Sequence, residues 1–204
     1  MKLTIPYNAT SFLTNLSTFG WKGSFKIVEN TGANGNPNGT GNGTDIVSES
    51  IITLRDYLTK YNHMSYDKVE QLILHLGNQM MLMSDNNLGL LFFNLESILL
   101  LDDAYFLIAD LTFMVPMNSR EQLTLNYPLK MEGLLSPELE HVTALPVIVS
   151  ITSTYYSLGL LCMACLGLGL AKDTIMNTIM NTKMYFFLQR CLQSDPNKRY
   201  FLYI

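Results

Sequence analysis

Three cysteines, three histidines and a few hydroxyls and carboxylates are the side chains with which this 204-residue chain could do chemistry. Cys162 and Cys165 stand in a Cys-x-x-Cys spacing that suits zinc or a redox dithiol. They lie in an uncharged apolar run, however, and His63, His75 and His141 fall at no ligand spacing from them or from Cys191. Core thiols are the expectation, with no metal. Ser136 and Ser157 have no partner histidine at a recognisable spacing, which argues against a hydrolase triad. Asp102-Asp103 has no further oxygen ligands in sequence and reads as a turn, not a calcium loop. The Gly/Asn tract over 31–44 ends in no Lys-Ser/Thr and opens no helix, so it does not read as a phosphate loop. Met80, Met81 and Met83 read as helix core, with an exposed methionine at a binding groove as the alternative. No cofactor is expected.

The elements that would hold these residues follow from periodicity. Residues 1–30 carry weak alternation over 21–28, which predicts a strand or hairpin in a rudimentary N-terminal segment. Residues 31–50 read as a Gly/Asn-rich flexible linker, because so polar a tract buries little apolar surface. Helical spacing starts at Ile51 and runs to Leu58. Ser65 then caps a longer amphipathic helix carrying Val69, Leu72, Ile73, Leu76, Met80 and Met83 at spacings of three and four. The short apolar runs 97–101 and 105–109 flank Asp102-Asp103 and predict a β-hairpin. An irregular stretch over 111–140 leads to an uncharged helix near 155–171. A last helix is expected over about 174–193, ending before Asp195-Pro196.

Composition removes whole classes. Apolar residues make up 48% of the chain and charged residues 15%, so a disordered or fibrous chain is excluded and a large core expected. With 13 Lys+Arg, no basic cluster and a net charge of −4, no nucleic-acid partner is expected. The N-terminus shows no secretory signal, so the sequons at Asn8, Asn15, Asn38 and Asn42 read as by-products of an Asn-rich stretch. Three cysteines fit a reducing, intracellular (cytoplasmic) setting. Residues 142–171 carry no charge, but Pro146 and a crowd of hydroxyls from Ser150 to Ser157 favour a buried helix over a membrane span.

Four motifs in order resemble the C-terminal lobe of the protein kinase fold. Residues Glu96 to Thr112, with Ser97 and Asp110 thirteen apart, resemble the stretch from the catalytic-loop Asn to Asp-Phe-Gly. Ser136-Pro137-Glu138 resembles Ala-Pro-Glu, and Tyr156-Ser157-Leu158-Gly159 resembles Trp-Ser-Leu-Gly. Cys191-Leu192-Gln193-Ser194-Asp195-Pro196-Asn197-Lys198-Arg199 is similar to Leu-x-x-Asp-Pro-x-x-Arg. The resemblance covers about residues 51–200. It implies a mainly α, kinase C-lobe-like domain over 51–204, with one small β-hairpin and the N-terminal lobe reduced or absent.

The departures matter more than the matches. On that alignment Phe92 stands where a catalytic Asp would be, Ser97 replaces the Asn, and Thr154 replaces the helix Asp that braces the catalytic loop. Asp110 survives as a vestige without Phe-Gly after it, and no nucleotide Lys is found. A phenyl ring cannot accept a proton and one carboxylate holds Mg²⁺ poorly, so the chain is not expected to be an enzyme. The resemblance further implies an ion pair between Glu138 and Arg199, and a non-catalytic interaction or scaffold module whose partner is another protein. The Asn-rich composition and the excess of Lys over Arg keep open a structural component of a virion or other large assembly. A membrane-embedded protein using residues 142–171 is the third reading.

Overall fold

The structure, a computed structural model, describes residues 1–6, 26–29, 43–128, 134–168 and 179–203. Among the described residues, ten strands in four small antiparallel sheets accompany five α-helices. The mainly α, kinase C-lobe-like fold with a single hairpin is therefore corrected to a mixed α and β architecture. The physical reason lies in the strands themselves. They run three to five residues, too short to leave a period-two signature.

Strand β1 (Lys2–Pro6), β2 (Lys26–Glu29) and β3 (Gly43–Val47) form one sheet in the order β1-β3-β2. Residues 43–47 thus belong to the central strand of a sheet, which corrects the C-terminal end of the linker expected over 31–50; residues 31–42 lie outside the described residues. Leu3 stands opposite Ile46, which is fully buried, and the Lys2 ammonium reaches the buried Asp45 carboxylate at 2.6 Å.

Strand β4 (Ile51–Thr53) replaces the first turn of the expected helix. Its β-branched residues pair with β6 (Ile98–Leu101), which pairs in turn with β7 (Tyr105–Ile108). Asp102 and Asp103 make the β6–β7 turn, both at positive φ (52° and 55°) as a two-residue turn of this hand requires. The turn is anchored from outside: the Ser48 hydroxyl (2.6 Å) and the Ser50 amide (2.9 Å) donate to the Asp102 carboxylate.

Helix α1 (Leu54–Tyr61) starts at Thr53, whose hydroxyl accepts from the Asp56 amide at 3.0 Å. Helix α2 (Tyr66–Asp85) is capped by Ser65 and buries Val69, Leu72, Ile73, Leu76, Gln79 and Met83 against the β4-β6-β7 sheet and the remaining helices. The stretch expected to be irregular contains β8 (Met114–Pro116), paired with β5 (Leu88–Leu90), and β9 (Gln122–Leu125). Strand β9 pairs with β10 (Val147–Ser150). After the short α3 (Pro137–Glu140), the central helix α4 covers Thr152–Cys165, starting earlier and ending earlier than expected. Eleven of its fourteen residues are buried. Gly159 has a purpose in this packing, since a Cβ there would lie 2.8 Å from Leu192.

Helix α5 (Lys183–Cys191) forms the C-terminal part of the last expected helix; residues 174–178 lie outside the described residues. A 3₁₀ turn, Pro196–Lys198, ends the chain's regular structure. No helix among the described residues is long and apolar enough to cross a membrane. The described part of the uncharged run that raised that reading contains strand β10 and helix α4, separated at Ile151.

Candidate functional site

The segment joining β5 to β6 carries Phe92 and Ser97, two of the positions that the kinase resemblance assigns to chemistry. Leu91 and Phe92 are buried there in an apolar cluster with Val115, Leu123, Leu125, Leu139, Val149 and Ile151. The Phe92 ring lies 4.3 Å from that of Phe113, centroid to centroid. A ring so placed contributes packing and has no atom to take or give a proton.

Hydroxyls of α4 hold this segment. The Thr154 hydroxyl donates to the Leu90 carbonyl, and the Ser157 hydroxyl accepts from the Phe93 amide at 2.7 Å. Ser153 and Ser136 share a hydrogen bond of 2.6 Å, which ties α4 to the entrance of α3. All four hydroxyl residues are buried, so each bond satisfies groups that have no access to water. Ser136 and Ser157 are thus engaged in structural bonds, and no histidine is among their hydrogen-bond partners.

Ser97 is buried, its hydroxyl donating to the Asn94 carbonyl at 2.8 Å. Asp110 is exposed and accepts from the amide (2.9 Å) and the hydroxyl (2.5 Å) of Thr112. That arrangement is a local Asx turn. No group of three or more acidic, His or Cys side chains that could hold a metal occurs among the described residues.

Glu138 and Arg199, sixty-one residues apart, meet. The guanidinium places one nitrogen 2.5 Å and another 3.0 Å from the two carboxylate oxygens, a bidentate pair. Its remaining donors go to the Gln193 carbonyl (2.6 Å) and the Ser194 carbonyl (3.0 Å), and its face lies over the Tyr156 ring at 4.7 Å. The Arg199 side chain is wholly buried, while Glu138 retains 22% exposure. Nearly every donor of the arginine is used, so the pair joins α3, α4 and the C-terminal 3₁₀ turn.

Cys162, Cys165 and Cys191 are buried free thiols. Burial pushes Cys165 and Cys191 up to about 12 and Cys162 upward as well, which keeps them protonated. His63 and His141 are exposed. Met83 is buried, Met80 half-buried and Met81 61% exposed, so the methionines divide between core and surface.

Sequence reasoning missed His75 and Gln79. Both sit on α2 facing the outer edge of β7, whose backbone groups have no strand neighbour on that side among the described residues. Gln79 donates to the Phe106 carbonyl (2.9 Å) and accepts from the Ile108 amide (2.9 Å), as a strand would. His75 Nδ1 accepts from the Phe106 amide at 3.2 Å. A glutamine inside an otherwise apolar helix stripe was the available signal. Compared with known families and curated proteins, the sequence matches no family model and no curated protein.

Proposed function

We propose that this chain is a non-catalytic protein-interaction or scaffold module, related to a kinase lobe that has lost its chemistry. The observation that carries this reading is Phe92. At the position where the resemblance demands a proton acceptor, a phenyl ring with 1% exposure packs into an apolar cluster. The Glu138–Arg199 pair adds support, because the two motifs that suggested the resemblance end on residues in bidentate contact. Buried thiols held protonated are compatible with a reducing intracellular setting.

The partner in this reading is another protein. Affinity purification of the tagged full chain from its native source, followed by mass spectrometry, tests it. One stoichiometric protein partner is the expected result. Recovery of many copies of the chain itself would favour a shell component of a large assembly, and recovery of the chain alone would count against a module.

A further inference from the structure

A cavity of about 120 Å³ opens between α2, α4 and the C-terminal strap that follows the 3₁₀ turn. An enclosed apolar cavity of about 150 Å³ accepts a benzene ring, so a small single-ring compound is the largest ligand considered for this open cleft. Its walls include Met80, Met83, Ile151 and Phe201. Methionine walls adapt to varied ligand shapes. Among the described residues, the one charged residue lining it is the exposed Glu121, and no Lys, Arg or His lines it.

Glu121 is positioned by its backbone on both sides. Its amide donates to the Asn118 carbonyl (3.0 Å) and its carbonyl accepts from the Ile151 amide (2.9 Å). It also adopts φ 55°, the left-handed region. The other described non-glycine residues with positive φ are all Asn or Asp, the residues that tolerate that region best. A glutamate in this region carries backbone strain that Asn, Asp or Gly would carry less of. Among the described residues no ion pair reaches its carboxylate. Tyr155, whose ring lies 6.1 Å from that of Phe201, lines the same cavity. Aromatic faces and a carboxylate both attract an organic cation.

We propose that this cavity binds a small organic ammonium compound, its apolar body among Met80, Met83 and Phe201 and its cationic head at Glu121. The site is independent of the kinase resemblance and stands or falls separately from the module reading.

Benzylamine is the probe, with benzyl alcohol as its neutral isostere and benzoate as its anion. Methyl-labelled methionine NMR on the full chain reads occupancy at Met80, Met81 and Met83. Benzylamine should shift these methyl signals and bind about fivefold more tightly than benzyl alcohol, the scale of one partly exposed ion pair. Benzoate should bind more weakly than either. Glu121→Asn keeps the left-handed backbone and shortens the carboxylate arm to a neutral amide. It should erase the preference for benzylamine while the melting temperature stays the same or rises. Equal binding of amine and alcohol by the native chain would overturn the proposal. So would a preference that survives in Glu121→Asn, or a failure of all three probes to move the methionine methyls.

Discussion

Arg199 concentrates more bonds than any other side chain described here, and its loss is accordingly expected to be expensive. Arg199→Ala strands the Glu138 carboxylate and leaves the Gln193 and Ser194 carbonyls without their donor. The expected cost is about 3 kcal/mol, moderated by the water that Glu138 already sees. Arg199→Lys should recover little of it, because an ammonium cannot reproduce the fork. The double variant Glu138→Ala/Arg199→Ala should lose less than the sum of the singles in urea unfolding. Strict additivity would show that the pair contributes no coupling.

His75 makes a second test at this scale. Its half-buried ring stacks on Tyr105 (5.5 Å) and accepts from the Phe106 amide at Nδ1. Burial lowers its pKa below the usual 6.5, so the folded chain resists protonation that the unfolded chain accepts. Its contribution is complete above about pH 6.5 and is lost as pH falls through the depressed folded value. His75→Asn offers an acceptor oxygen near the Nδ1 position without a titrating ring. Subtracting its pH–stability curve from that of the native chain should leave a loss of stability on acidification over this window. A flat difference would show that the ring titrates alike in both states.

At the scale of elements, α2 both fills the core and finishes the sheet. Gln79 bonds the outer edge of β7 at two backbone groups in a fully buried setting, which covers that edge against further pairing. Gln79→Leu preserves the apolar stripe but orphans the Phe106 carbonyl and the Ile108 amide. A loss of about 3 kcal/mol is expected, against little change for the exposed control Asn78→Leu. Equal midpoints in chemical denaturation would mean that the edge finds other partners. On the other face of the helix Gly77 accommodates Phe201, since a Cβ there would lie 2.5 Å from the ring. Gly77→Ala raises helix propensity yet should lower stability or displace the strap. A higher melting temperature with Phe201 unmoved would contradict the packing.

Helix α2 was legible because Ser65 caps a long stripe, and the β6–β7 hairpin because two apolar runs flank Asp102-Asp103. Strand β6 is buried at all four positions, so its run carries no alternation and only the turn betrays it. Strands β8, β9 and β10 were illegible. Each is three or four residues long, and β10, the strand that pairs with β9, lies more than twenty residues along the chain. The roles of Ser153, Thr154 and Ser157 were equally hidden. Inside an apolar helix a hydroxyl looks incidental until its backbone partner in a distant segment is known.

At the scale of the molecule, two buried clusters carry the fold among the described residues. The larger surrounds α2, α4, α5 and the β4-β6-β7 sheet; the smaller holds Phe92 and the β9–β10 pair. Short strands docked on a central buried helix make the chain a mixed α and β body, where the kinase resemblance implied a mainly α one. The smaller cluster is also where the proposed reading is most exposed, because it places apolar packing at the position that the kinase resemblance aligns with a catalytic carboxylate. Phe92 and Ser97 offer neither, and Asp110 spends its carboxylate on Thr112. The most direct test is a thermal melt of the full chain with about 1 mM Mg-ATP, since any ligand of the folded state raises the midpoint by mass action. The account predicts an unchanged midpoint with and without the nucleotide. A rise of several degrees that EDTA reverses would show a working Mg²⁺-nucleotide site and contradict it.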